Sequence, residues 1–262
     1  FTRSRLLLRA EIVLETHKML FGCFLVPISV FASATELCNH FGPTIGARSA
    51  LRKDGGDRRL MVISNVRENG EPIGALPDGE LMFHSDSVFL QKPLLGALLY
   101  AEEVPSTGGN TLFANMYQAY DTLSDQMKEI LGSLRGLYVG DQPLKLGNFT
   151  GAKSMKQQDP GKTKVHTYHP IIRTHPDSKN KALYIGGHAV EIEGMTKEES
   201  TPILNYLKSH STRPEFICRL KWSPGTIAIW DNRCTQHYAV DDYAGFRRRM
   251  HRITIIGEEA PY

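Results

Sequence analysis

The sequence has no apolar run of the roughly 20 residues that a membrane-spanning helix needs. Its main apolar stretch, Met19 to Phe31, is shorter, and the charged segment Glu11 to Lys18 separates it from the basic residues before it. Without a small-residue cleavage site, that stretch is expected to be a buried strand rather than part of a signal peptide. Cysteine is scarce: Cys23, Cys38, Cys218 and Cys234 show no C-x-x-C spacing. Sparse, unpatterned cysteines read as reduced thiols in a cytoplasmic protein. Long blocks of like charge are missing as well. The formal net charge is +3, and Arg247-Arg248-Arg249 is a short basic run inside an expected strand. Neither nucleic acid nor a membrane is therefore expected as a partner. The chain shows no internal repeat, and because it begins with Phe its N-terminus is expected to be incomplete.

What is present is ordinary globular material. The 262 residues, 41% apolar and 23% charged, are enough for one domain over 1–262 with a large core. Residues 5–18 have helical periodicity. Ser33-Ala34-Thr35-Glu36 has the spacing of a capping box and opens a short helix ending near Phe41. Residues 44–57 read as a loop, Leu60 to Val66 as a strand, and Glu71 to Glu80 as a Pro- and Gly-bearing loop bordering a pocket. Strands are expected at Phe83–Phe89, Leu95–Val104, 110–113, His169–Thr174, Ala182–Ile185, Phe216–Trp222, Thr226–Asp231 and Arg248–Ile256. Helices are expected at 114–122, at 125–134 behind Ser124, and at 196–209 behind Thr196. Residues 140–168 are polar, Gly- and Lys-rich and without periodicity, a lid or insertion between core elements. Many short strands with a few flanking helices predict a mainly β fold, a sandwich or jelly roll.

The chemistry concentrates in two blocks. Phe83-His84-Ser85-Asp86 puts a histidine and an aspartate two residues apart, on one face of a strand. Alone, that spacing is common. Trp230-Asp231-Asn232-Arg233-Cys234-Thr235-Gln236-His237 supplies a second histidine near the other end of the chain. Two imidazoles and one carboxylate form the facial ligand set of non-haem iron(II) oxygenases, which leaves coordination positions open. Downstream, Arg248, Met250 and Arg252 alternate to one face of an extended strand, and Arg249 and His251 to the other. Two arginines facing one cavity suit two anionic ligands. Arg247 and Arg249 are expected to be solvated.

Together with Pro105-Ser106-Thr107-Gly108-Gly109-Asn110-Thr111, these blocks resemble the taurine dioxygenase / 2,4-dichlorophenoxyacetate dioxygenase family of iron(II)- and 2-oxoglutarate-dependent oxygenases. The resemblance runs from about Phe41 to Gly257. It implies a double-stranded β-helix, the cupin-like jelly roll. It also implies iron(II) on His84, Asp86 and His237, and 2-oxoglutarate held through its distal carboxylate by Thr111 and Arg248. Arg252 matches the arginine that meets the substrate's anionic group in several relatives, with a structural salt bridge as the competing reading. Phe83 stands where relatives often carry Trp; it keeps an aromatic substrate wall and loses the indole donor.

The implied reaction consumes O2 and 2-oxoglutarate, releases succinate and CO2, and hydroxylates a small anionic substrate. C–O, C–S or C–N cleavage can follow, and desaturation stays open. Ascorbate would support the assay, and an assembly of two or four chains is common among relatives. Two other readings compete: a non-catalytic jelly-roll module binding a small acid, and a zinc hydrolase in which Thr111 and Arg248 would have no role. His17, His40, His166, His169, His175, His188 and His210 lack metal spacing and read as surface or satisfied structural residues. Cys234, Trp222 and Trp230 read most simply as core, with Asn232 and Arg233 shaping the turn before His237.

Overall fold

A computed structural model describes residues 21–25, 38–39, 41–45, 60–74, 82–140 and 165–262. The helix expected at 5–18, the capping box at Ser33–Glu36 and most of the 140–168 insertion lie outside these residues. The first strands are β1 (Phe21–Leu25), β2 (Thr44–Ile45), β3 (Met61–Ser64), β4 (Arg67–Glu68), β5 (Glu71–Pro72), β6 (Gly96–Glu103) and β7 (Thr111–Asn115). Helices α1 (Met116–Asp121) and α2 (Asp125–Leu131) follow, then β8 (Arg135–Val139), β9 (His166–Pro170), β10 (Ile172–Thr174), β11 (Lys181–Leu183) and β12 (Ala189–Ile192). Helix α3 (Lys197–Ser211) precedes β13 (Ile217–Leu220), β14 (Thr226–Asp231), β15 (Thr235–Ala239) and β16 (Arg249–Ile255).

The larger sheet runs β1-β14-β6-β16, with β2 and β3 both paired to β16, and the smaller one runs β13-β7-β15. All of these pairings are antiparallel. Period-two alternation assigns each face of the large sheet its own core. From β6, Ala97, Leu99 and Ala101 join Ala228 and Trp230 of β14, Met250 of β16, and Phe113 and Leu220 of the small sheet. This is the filling between the two sheets of the jelly roll. The alternate residues Leu98, Tyr100, Ile227, Ile229, Ile253 and Ile255 pack on the outer face with Cys38. A third cluster lies under the helices, where Met116, Tyr117, Leu131, Leu204 and Leu207 meet Tyr138, Ile171 and Leu183.

The helix starts follow local chemistry. Ser124 Oγ accepts the Met127 amide at the start of α2. Thr196 and Glu199 close a reciprocal capping box on α3. Strands β8, β12 and β15 were not expected from the sequence, and Thr44–Ile45 pairs with β16 where a loop was expected. The larger correction concerns Phe83–Phe89, which is not a strand. His84 makes a single antiparallel bridge to His237. The chain then turns, with Ser87 at a left-handed φ of 50° and Leu90 N–H donating to Ser87 O at 3.0 Å. One bridge followed by a turn brings Asp86 beside His84, where extended alternation had been expected to do so. Among the described residues no helix is long and apolar enough to cross a membrane.

Leu98 is fully buried, so Leu98→Ala is expected to cost about 2–5 kcal/mol. Thr196→Ala, which removes half a capping box, is expected to cost about 1 kcal/mol; urea unfolding measures both. Burial pushes the Cys38 thiol up to about 12. Iodoacetamide at pH 8 should therefore leave Cys38 unlabelled in the folded protein and label it only after denaturation, read by peptide mass spectrometry.

Candidate active site

The His84–His237 bridge is reciprocal. His84 N–H donates to His237 O at 3.1 Å, and His237 N–H donates to His84 O at 2.9 Å. Paired residues at such a bridge send their side chains to one side, and the two imidazole centroids lie 4.3 Å apart. Ser85 Oγ donates to Thr235 O at 3.0 Å and pins the following turn to β15. Asp86 thereby reaches both rings: its Oδ1 is 3.8 Å from His84 Nε2 and 3.6 Å from His237 Nε2. All three residues are buried, and they form a group that could hold a metal ion.

The protonation of this set fits a metal. His84 Nδ1 lies 2.7 Å from Met82 O. A carbonyl only accepts, so Nδ1 carries the proton and Nε2 presents a lone pair. Burial, then the neighbouring His84, push His237 down to about 3 against the pull of Asp86. Burial likewise lowers His84. Burial by itself would raise Asp86, but Arg252 and the two imidazoles outweigh it and hold the carboxyl well below the usual range. Two neutral imidazoles and an ionised carboxylate are the donor types that suit a divalent metal such as iron.

Arg252 arrives from β16 on the face shared with Met250, and its Nη2 lies 2.5 Å from Asp86 Oδ1. The structure thus places Arg252 in a buried salt bridge to Asp86. Arg249 and His251 face the other way, onto Glu102, with Arg249 Nε at 2.9 Å. Arg249 is therefore half-buried and paired, where solvation was expected. Arg247 is exposed and paired with Glu103 at 2.6 Å.

The turn before β7, which leads into Thr111, packs beside Arg248. Gly108 and Gly109 have φ of 82° and 64°, and a Cβ on Gly108 would lie 2.6 Å from Asp242 O. Only glycine fits so close an approach. Gly109 N–H donates to Asp242 Oδ1 at 2.7 Å, and the Arg248 Cδ lies 3.4 Å from where a Gly109 Cβ would stand. Asn65 Oδ1 accepts the Arg248 amide at 2.9 Å, and Ser64 Oγ donates to Arg248 O at 2.9 Å. Thr111 Oγ1 accepts the Trp222 indole N–H at 3.0 Å, which leaves the hydroxyl proton free to donate elsewhere. Trp222 is core, as expected, and also a donor.

Phe83 stacks on Tyr238 with ring centroids 5.4 Å apart, and both rings are half-buried. His188, read from sequence as structural, sits edge-on to His84 at 6.1 Å and is pushed down to about 4 by burial and by His84. No spacing in the sequence signals it. A second cluster, His175, Asp231 and Cys234, also has metal-type donors. Here His175 Nδ1 accepts the Asp177 and Ser178 amides, each at 3.2 Å. Its Nε2 therefore carries the proton and donates to Asp231 Oδ2 at 3.1 Å. Arg233 covers the remaining lone pairs of Asp231. This cluster clasps a turn and offers no free imidazole lone pair.

Comparison with known proteins agrees with this geometry. The profile described as "Taurine catabolism dioxygenase TauD, TfdA family" matches residues 26–254. The chain is 33% identical over 209 residues to an alpha-ketoglutarate-dependent sulfate ester dioxygenase of Pseudomonas putida, covering 76% of this chain and 67% of that protein. It is 36% identical over 207 residues to an alpha-ketoglutarate-dependent 2,4-dichlorophenoxyacetate dioxygenase of Burkholderia sp. (strain RASC), again covering 76% and 67%. Among solved structures, AAD-2 in complex with Mn(II) and N-oxalylglycine superposes with a TM-score of 0.72 at 29% identity, covering 92% of this chain and 84% of that one. A mainly β jelly roll, a buried His/Asp/His group and a match over most of the sequence converge: the chain belongs to the TauD/TfdA family of alpha-ketoglutarate-dependent dioxygenases.

Proposed function

We propose that this protein hydroxylates a small anionic organic substrate, a sulfonate, sulfate ester, phenoxy acid or other carboxylic acid, with 2-oxoglutarate as co-substrate. The observation that carries the reading is the meeting of two imidazole Nε2 atoms and one carboxylate oxygen in a buried site that also holds Arg252. Named activities of the relatives, on a sulfate ester and on 2,4-dichlorophenoxyacetate, support the substrate class.

His84, Asp86 and His237 would hold iron(II), which with O2 and 2-oxoglutarate supplies the oxidant for a C–H bond and yields succinate and CO2. The rest is done by the chain's own residues. Arg248 and the Thr111 hydroxyl would take the distal carboxylate of 2-oxoglutarate, the guanidinium by its planar fork and the hydroxyl by one directed donor. Arg252 would turn part of its guanidinium from Asp86 to the substrate's anionic group and orient the carbon to be oxidised. Phe83, stacked on Tyr238, supplies an aromatic wall. Burial of the three ligands excludes water from the reacting centre. Hydroxylation beside a heteroatom would let the product collapse with C–O, C–S or C–N cleavage. The described cysteines Cys38, Cys218 and Cys234 are free thiols, which supports a cytoplasmic setting.

Two measurements test the reading. His84→Ala is expected to abolish both Mn(II) binding and succinate formation in the presence of iron(II), ascorbate and a substrate pool; binding equal to wild type sinks the metal assignment. Hydrogen bonds to charged groups contribute about 1.5–3 kcal/mol, so Arg248→Ala should raise the 2-oxoglutarate Kd about 10- to 100-fold. Arg252→Lys should weaken anionic substrate more than 2-oxoglutarate. Equal losses of 2-oxoglutarate binding in titration calorimetry would overturn this division of labour.

A further inference from the structure

Asn232 is almost wholly buried, and its amide orientation is determined by its neighbours. Its Oδ1 lies 3.1 Å from Trp230 Nε1 and 3.2 Å from the Asp86 backbone N. Both are donors without acceptor capacity, so the atom between them must be the amide oxygen. The Nδ2 group consequently points at Asp86 Oδ2, 3.1 Å away, and donates to it. Asp86 therefore has its two oxygens assigned to different tasks. Oδ2 is capped by Asn232, and Oδ1 lies 3.8 and 3.6 Å from the two imidazole Nε2 atoms and 2.5 Å from Arg252 Nη2.

We infer that Asn232 is a positioning residue that makes Asp86 a one-oxygen ligand, with Trp230 holding Asn232 in the required orientation through its indole N–H. This rests on the metal reading proposed above and assigns the residue that tunes the carboxylate. A buried carboxylate with one oxygen uncapped can rotate to present both. It would then crowd the positions that a facial ligand set leaves for the keto acid and O2. The turn that carries Asn232 is itself clasped. Asp231 Oδ1 accepts the Arg233 amide at 2.8 Å, and Asp231 Oδ2 accepts from His175 at 3.1 Å. The cluster that resembled a second metal site thus fixes the backbone from which Asn232 reaches Asp86.

The test uses the whole chain, Mn(II) as probe metal and N-oxalylglycine as an unreactive keto-acid analogue. Asn232→Ala is expected to raise the Mn(II) Kd roughly tenfold, the low end of what partners behind a metal ligand are worth. N-oxalylglycine binding to the Mn(II)-loaded protein should fall further. Trp230→Phe keeps an aromatic ring in the core beside His237 while removing the indole donor and some core volume, so it should raise the Mn(II) Kd about two- to threefold with a lowered urea midpoint. Because Trp230 acts through Asn232, the double variant should bind Mn(II) no more weakly than Asn232→Ala alone. A Mn(II) Kd for Asn232→Ala within twofold of wild type overturns the inference, as does a double variant whose loss is the product of the two single losses. Wild-type protein that binds no Mn(II) would instead defeat the metal reading itself, and the role of Asn232 would fall with it.

Discussion

The site depends on one reciprocal pair of backbone hydrogen bonds, between His84 and His237. It is the only pairing that the segment around His84 makes with any described strand, and it is isolated from the regular ladders. Through it, a short irregular stretch is held against β15, which is in turn paired with β7, the central strand of the small sheet. Both imidazoles are thereby sent to the same side, and the turn that follows delivers Asp86 to within 4 Å of their Nε2 atoms. The surrounding fold can be understood as the frame that keeps this bridge in register. Phe113 and Trp230 pack against the His237 ring from two sheets, at 6.2 and 4.8 Å.

Gathering these groups has an electrostatic cost, because a buried carboxylate is strongly disfavoured unless it is paired and hydrogen-bonded. Asp86 meets both conditions. Arg252 provides the opposite charge on one oxygen, and Asn232 provides a neutral donor on the other. The imidazoles carry no such demand, since burial keeps them neutral. Neutral imidazoles beside an ionised carboxylate are the protonation state that a divalent metal requires. The surroundings of Arg248 are fastened in the same way. Two consecutive glycines let the 105–110 turn close onto Asp242, and Asn65 and Ser64 fasten the backbone of Arg248.

Much of the architecture was readable from short-range pattern. Apolar runs and the turn residues that bound them identified Thr226–Asp231 to the residue and placed β6 and β16 within one residue at each end. Ser124 and Thr196 announced their helices by capping chemistry. The failures share a cause. Strand β15, Thr-Gln-His-Tyr-Ala, has no apolar alternation, because its inward residues serve the site rather than the core. The His84 segment was read as extended because a two-residue spacing would put His84 and Asp86 on one face of a strand, while Ser87 in a left-handed conformation ends the pairing after one residue. Trp222 and Trp230 were recognised as core, but their indole donors act on Thr111 and Asn232, partners that no local pattern indicates.

The sequence by itself determined the donor types, the facing of Arg252 with Met250 on β16, and the membership of the family. Those properties reside in residue identity and in a two-residue period, and both are local. The tertiary structure decided which of the described histidines meet, which oxygen of Asp86 lies nearest them, and that His175, Asp231 and Arg233 are a clasp rather than a second metal site. These outcomes depend on hydrogen bonds between residues such as Asp86 and Asn232, 146 positions apart. At that separation only the packed sheets set the distance and the direction in which each polar atom points.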